Sequence, residues 1–216
     1  MLALYAVNYE IAHAAEAARE PGLGLIRLKW WRDGLEEIAQ GGAPRGHPAL
    51  VALHAAAPGA AHALQGLVDA RAADLEAAPF ARWADLETYV DATAGPLIAC
   101  AIEACGVAAA AHGALVREAG RAWGFAGLLR AAGHWQLRGR TLLPKDTRLE
   151  ELQTRACAAY AAAKPLARAL PAPAFPAFGY VALTPGYLRA LERGRAERPL
   201  LVRQARLIWA SATGAI

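Results

Sequence analysis

Over residues 25–40, "LIRLKWWRDGLEEIAQ", apolar side chains return at Leu25, Leu28, Trp31, Leu35 and Ile38, charges fill the positions between them, and Gly41 and Gly42 follow as a stop. Spacings of three and four residues place those five side chains on one stripe of a 3.6-residue helix. A strand, whose faces alternate at every residue, cannot gather them. Similar signals recur along the chain. Residues 1–19 carry a stripe of Leu4, Val7, Ile11 and Ala15, ended by "EPGLG" at 20–24. A short helix enters through Pro48, and a longer one spans 59–79, with Asp69 and Asp74 before a Pro79 stop. The next helix starts near Asp85, is perturbed at Gly95 and Pro96 in the manner of a bent wall, and ends at Gly106. Residues 111–135 form another long helix. The one after it is capped by Asp146 or Thr147 and has Glu150 and Glu151 in its first turns. Proline-rich residues 171–199 hold too many aromatic and apolar side chains for a linker and read as packed turns between two short helices. Residues 199–212 close the chain as a basic amphipathic helix with Arg203 and Arg206, either docked with a solvated basic face or presented to a membrane surface or partner.

With 216 residues and 56% hydrophobic content, the chain can bury a large core, and the scarcity of β-branched residues beside abundant Ala and Leu favours helix throughout. The expectation is one all-α domain over residues 1–216. Its longest apolar run, "TAGPLIACAIEACGVAAAA", is interrupted by Gly, Pro and Glu103 and falls short of the roughly 20 apolar residues a spanning helix needs. Cys100, Cys105 and Cys157 are odd in number and lack metal spacing, and all three read as buried small hydrophobes. The first residues show no charged segment followed by a cleavage site. The expected place is the cytoplasm, with peripheral contact on the inner membrane as the second reading. The net charge of +4 comes without aromatic interleaving or zinc-finger spacing, which argues against nucleic acid as a partner. No two histidines stand four apart, so a dedicated zinc site is not expected.

One stretch is unusual in its charge. In "GLLRAAGHWQLRGRTLLPKD", residues 127–146, Arg130, Arg138 and Arg140 gather about a helix end with no acid before Asp146. Guanidinium forks suit phosphate geometry, so these arginines are candidate anion ligands; equally, they can cap the helix's last carbonyls and pair with nearby acids. On the second helix, Trp30 and Trp31 are adjacent and therefore about 100° apart. One is expected in the core and the other partly exposed, where beside Arg27 and Arg32 it would make a binding anchor.

Three segments together resemble the squalene/phytoene synthase family: "LALYAVNYEIAHAAE", "EPGLGLIRLKWWRDGLEEI" and "AGRAWGFAGLLRAAGHWQLRGRTLLP", so that the likeness runs from Leu2 to about Pro144. The resemblance implies the isoprenoid synthase fold, a single helical bundle around a central cavity. Family enzymes carry aspartates four apart on two facing helices, where they hold the Mg²⁺ that neutralises a diphosphate leaving group. The first family segment falls on Tyr5 to Glu16 and puts its outer acids at Ala12 and Glu16. The second, anchored on Gly139, Arg140, Leu143 and Pro144, puts them at Ala131 and Trp135, whose indole would then block the entrance. Three of these four positions carry no carboxylate. The pairs Glu10/Glu16 and Asp69/Asp74 point to divergent faces and read, like Glu36 and Glu37, as solvated surface. Family members usually have more helix before the first segment.

The pattern looks most like the family's non-synthase branch, similar to phytoene-synthase-like assembly factors of respiratory complex I. What the resemblance implies is a non-catalytic scaffold that binds a protein partner or an isoprenoid or other lipid, without cofactor. The alternative is a Mg²⁺-dependent transferase joining two prenyl diphosphates head to head. Tyr5, Glu16, Arg130, Arg138 and Arg140 are the candidate substrate or anion contacts; Arg27, Trp30, Trp31 and Arg32 are the candidate partner surface.

Overall fold

A computed structural model describes residues 1–17, 20–78, 80–141, 143–145, 147–195 and 198–216. Every regular element among them is helical, as the residue patterns require. The chain forms two compact units, residues 1–79 and 80–216.

The first unit holds α1 (Leu2–Glu16), α2 (Pro21–Ala39), α3 (Pro48–Ala56) and α4 (Ala61–Ala70), with 3-10 turns at Pro58–Ala60 and Arg71–Leu75. The α1 stripe of Leu4, Val7 and Ile11 is fully buried and meets α2 and α3. From α2, Leu28, Trp31, Leu35 and Ile38 enter the same core, joined by Leu50, Leu53, Leu64, Leu67 and Val68. Each such side chain contributes about 1.5–3 kcal/mol by leaving water. Helix α3 starts at Pro48, where the missing N–H would have no partner anyway, and the His47 ring nitrogen Nδ1 accepts from the Ala49 N–H at 3.2 Å.

Two expectations change here. "EPGLG" does not separate two helices across five residues, because Pro21 is the first residue of α2 and the glycines lie inside it. Leu25 is 52% exposed, since the buried face of this first turn falls on Gly24 and Leu28. The Ala15 side chain, the Arg19 end of the first helix and the Pro79 stop lie outside the described residues.

The second unit holds α5 (Trp83–Ala104), α6 (Gly113–Leu137), α7 (Leu149–Ala167), α8 (Thr184–Leu191) and α9 (Leu200–Thr213), with 3-10 turns at Ala109–His112, Ala172–Ala177 and Gly179–Leu183. Helix α6 packs on both α5 and α7, α8 lies against α6 and α7, and α9 covers the turn Gly179–Leu183. The α5–α6 approach depends on small residues. A Cβ on Gly124 would stand 2.6 Å from Val90 Cγ1, and one on Gly120 would stand 3.4 Å from the Gly95 nitrogen.

Helix α5 continues through Gly95 and Pro96; the proline removes one main-chain donor, and packing on both flanking turns holds the helix. It starts at Trp83, two residues before the expected Asp85, whose carboxylate accepts from the Arg82 N–H at 3.0 Å. Helix α7 starts after Arg148, and Thr147 does not cap it; Asp146 lies outside the described residues. Residues 172–183 are packed 3-10 turns that lead into α8, with Ala174, Ala177, Phe178 and Val181 buried. The cysteines diverge. Cys100 is buried, Cys105 half-buried and Cys157 exposed, because Ala156, Ala159 and Ala163 form the inner face of α7. No helix of the described residues is long and apolar enough to cross a membrane.

Candidate functional site

In the first unit, α1 carries the residues matched to the first acid segment. Tyr5 and Ala12 are half-buried and Glu16 is exposed. One face of α1 and the start of α2 border an open groove of ≈350 Å³ lined by Glu10, His13, Arg27, Trp30, Trp31 and His47. Trp31 is the core member of the tryptophan pair, and its ring meets His47 edge-on at 4.8 Å. Trp30 is 38% exposed and edge-on to Trp31 at 5.3 Å. This is the division that adjacent helical positions require.

The cation over Trp30 is one the sequence did not point to. Arg45 places its guanidinium 5.5 Å from the Trp30 ring centre, donates to both Glu37 oxygens at 3.0 and 2.8 Å, and donates to the Trp30 carbonyl at 3.1 Å. That bond from Arg45 holds the Glu37 carboxyl below its ordinary range. Arg32 is instead engaged by Asp69 at 2.8 Å and Glu36 at 3.8 Å, whereas Arg27 is exposed and borders the groove. Asp69 and Asp74, expected as solvated surface, are paired with Arg32 and Arg71, and Asp74 is buried against that expectation.

In the second unit, the end of α6 is closed by main chain. The N–H groups of Arg138 and Arg140 both donate to the Trp135 carbonyl at 3.0 Å, with Gly139 between them at φ +66°. A left-handed residue is what this closure demands, and glycine supplies it without a Cβ clash. Arg130 and Arg140 lie against different rings. Arg130 and Arg138 stand eight residues apart, about 12 Å along α6. Arg130 stacks on the Tyr187 ring, Arg140 lies 5.9 Å from the Trp135 ring centre, and Arg138 is exposed at the helix end.

Trp135 is 5% exposed and packs around a cavity of only ≈20 Å³ bordered by Leu128, Leu143, Leu149 and Leu152. Ala131 is half-buried. At the four positions matched to the family's acids, Ala12, Ala131 and Trp135 offer no oxygen ligand and Glu16 offers one carboxylate. A Mg²⁺ ion needs several oxygens, so this donor set does not fit it. Among the described residues, no cluster of three or more His, Cys, Asp or Glu is arranged to hold a metal.

A pair of acids at helical spacing does exist on α5, where the sequence reading did not look. Glu87 and Asp91 lie one turn apart. Asp91 accepts two bonds from Arg121 of α6 at 2.8 and 2.7 Å, and Glu87 accepts from Arg155 of α7, which also lies 4.2 Å over the Trp83 ring. The spacing was the visible signal; the arginines that neutralise it come from 30 and 68 residues away. The pair laces three helices together.

A model of the squalene/phytoene synthase family matches residues 1–153. The chain therefore belongs to the squalene/phytoene synthase family, and its all-α architecture is the isoprenoid synthase fold. The chain aligns over 98% of its length, with a TM-score of 0.63 and 17% identity, to 83% of the crystal structure of squalene synthase HpnC from Alicyclobacillus acidocaldarius. Among curated proteins, it is 24% identical over 216 aligned residues to NADH dehydrogenase (ubiquinone) complex I, assembly factor 6 of Mus musculus, across 88% of this chain. It is 26% identical over 149 residues to the protein of the same name in Homo sapiens, across 68% of this chain. The chain spans 65% of the length of the mouse protein and 44% of the human one.

Proposed function

We propose that this chain is a non-catalytic member of its family that supports the assembly of a complex I-type NADH dehydrogenase by binding a protein partner. The observation that carries this reading is chemical: the positions matched to the family's metal ligands hold Ala12, Glu16, Ala131 and a buried Trp135. A diphosphate cannot depart easily without cations to neutralise it, and three of those four side chains bring no charge. The curated relatives' names supply the biological direction.

The contact surface we assign is the groove around Trp30, with Arg27 at its border and the Arg45 guanidinium over the indole. A half-exposed tryptophan held by aromatic neighbours loses little freedom on binding and can anchor a partner. The protein works without cofactor, in the cytoplasm or peripherally at the membrane that holds the dehydrogenase, and not on nucleic acid. Deleting the gene in its own host, then resolving membrane complexes on native gels, tests this. Assembled NADH dehydrogenase should fall, recover with the wild-type chain and recover poorly with Trp30→Ala. An undiminished complex in the deletion strain would overturn the reading.

A further inference from the structure

Helix α9 sits the opposite way round from an ordinary docked amphipathic helix. Among its described residues Ala210 alone is buried, while Leu201, Ala205 and Ile208, spaced by four and three, form an exposed apolar stripe. Val202, Arg206 and Trp209 form the stripe beside it, and the Arg206 guanidinium rests 4.7 Å from the Trp209 ring centre. The arginines turn inward instead of out to solvent. Arg203 donates to the Tyr187 hydroxyl at 3.3 Å, and Arg206 donates to the Ala182 carbonyl at 3.2 Å and the Tyr160 hydroxyl at 3.5 Å. The helix carries no acid.

Those two arginines border an open recess of ≈440 Å³ between α7, α8 and α9. Lys164 of α7, Arg189 of α8 and Arg198 just before α9 line it as well, and no carboxylate of the described residues does. Lys164 and Arg189 are exposed. Because Val202 and Arg206 belong both to the recess and to the outer stripes of α9, the basic hollow and the apolar ridge are one continuous surface.

Five cations around one hollow repel one another, and carboxylates entering it relieve that repulsion. Guanidinium forks hold carboxylate oxygens in pairs. A small soluble anion would fill the recess yet leave Leu201, Ile208 and Trp209 in water, and contiguous exposed apolar surface with a charged rim marks a place where something docks. A flat lipid surface would cover the ridge but could not follow the cations into the hollow. A polypeptide segment does both. Its acidic side chains reach into the recess while its apolar ones lie along the ridge.

We propose that the recess and the outer face of α9 together form a docking surface for an acidic segment of a protein partner. The segment's carboxylates pair with Lys164, Arg189, Arg198 and Arg206, and its apolar side chains lie on Leu201, Ile208 and Trp209. This surface is separate from the Trp30 groove, which is built from residues of the first unit, so either assignment stands if the other fails.

Phage-displayed random peptides of about twelve residues, selected on the immobilised full chain at constant ionic strength, supply the probe. Enriched sequences should combine Asp and Glu with large apolar residues. A synthetic copy of the most enriched one, followed by fluorescence anisotropy, should bind about tenfold or more weakly to Lys164→Gln with Arg189→Gln, and likewise to Leu201→Ser with Ile208→Ser. All four residues are exposed, so both variants should keep the wild-type unfolding temperature. On the wild-type chain itself, a copy of the peptide with every Asp and Glu replaced by Asn and Gln should lose binding by a similar factor. Selection of sequences without acids, or binding that either variant or the amide peptide retains in full, would overturn the proposal. So would flotation with phosphatidylglycerol vesicles that both variants lose while no peptide is selected, which would give the surface to a membrane.

Discussion

The guanidinium carbon of Arg130 lies 4.2 Å from the ring centre of Tyr187, so an arginine that the sequence offers as an anion ligand also packs α6 onto α8. Tyr187 in turn receives the Arg203 hydrogen bond. Arg130→Ala should therefore lower stability by about 1–2 kcal/mol through lost cation–π contact and lost stem packing. Urea unfolding measures it; an unchanged midpoint would show that the stack contributes nothing.

Trp135 makes a sharper case. If the indole is part of the core, Trp135→Ala should cost about 3–5 kcal/mol, because the surroundings close only partly over the lost volume. Trp135→Asp, which restores the family's acid, should cost at least as much and should not be rescued by millimolar Mg²⁺. Thermal unfolding of both variants with and without the ion decides this, and a magnesium-dependent recovery would mean that the carboxylate shares the ion with other oxygen ligands.

The three cysteines should react in a fixed order. Burial, with Glu103 nearby, pushes the Cys100 thiol up to about 11, so at pH 8 only about one molecule in a thousand carries the thiolate. Exposed Cys157 should label first with a disulfide reagent, Cys105 next, and Cys100 only after denaturation. Mass spectrometry of tryptic peptides over a labelling time course checks the order.

Acid should erode the surface ion pairs in a defined window. Hydrogen bonds from Lys29, Arg45 and Arg82 hold Asp33, Glu37 and Asp85 below their ordinary values of 3.8, 4.5 and 3.8. A depressed folded-state pKa means that the unfolded chain binds protons first, so these pairs help stability above about pH 4.5 and lose that help as pH falls through the folded values. Unfolding temperatures measured from pH 6 to pH 3 should fall over the lower half, and Arg45→Gln should make that fall shallower.

Much of the fold was legible because burial follows helical spacing. Leu4, Val7 and Ile11 on α1 and Leu28, Trp31, Leu35 and Ile38 on α2 are core for the reason that their positions recur every three to four residues. Local rules failed where one residue type has two meanings. Pro21 could end one helix or begin the next, and Leu25 continues a stripe although the buried face of the first turn falls on Gly24 and Leu28. The family itself was legible too, since the segments that carry the likeness need no tertiary information. The contacts of the arginines were not: Arg45 reaches Trp30 from 15 residues away, and Lys164, Arg189 and Arg203 meet at one cavity only because α7, α8 and α9 pack together. Convergence of this kind leaves no period in a sequence.

The measurement that bears most directly on the whole account is turnover. The purified chain, given farnesyl or geranylgeranyl diphosphate with Mg²⁺, should release no pyrophosphate above the rate of a blank and form no head-to-head product detectable by mass spectrometry. Steady pyrophosphate release with a squalene- or phytoene-like product, abolished by chelating the metal, would contradict it.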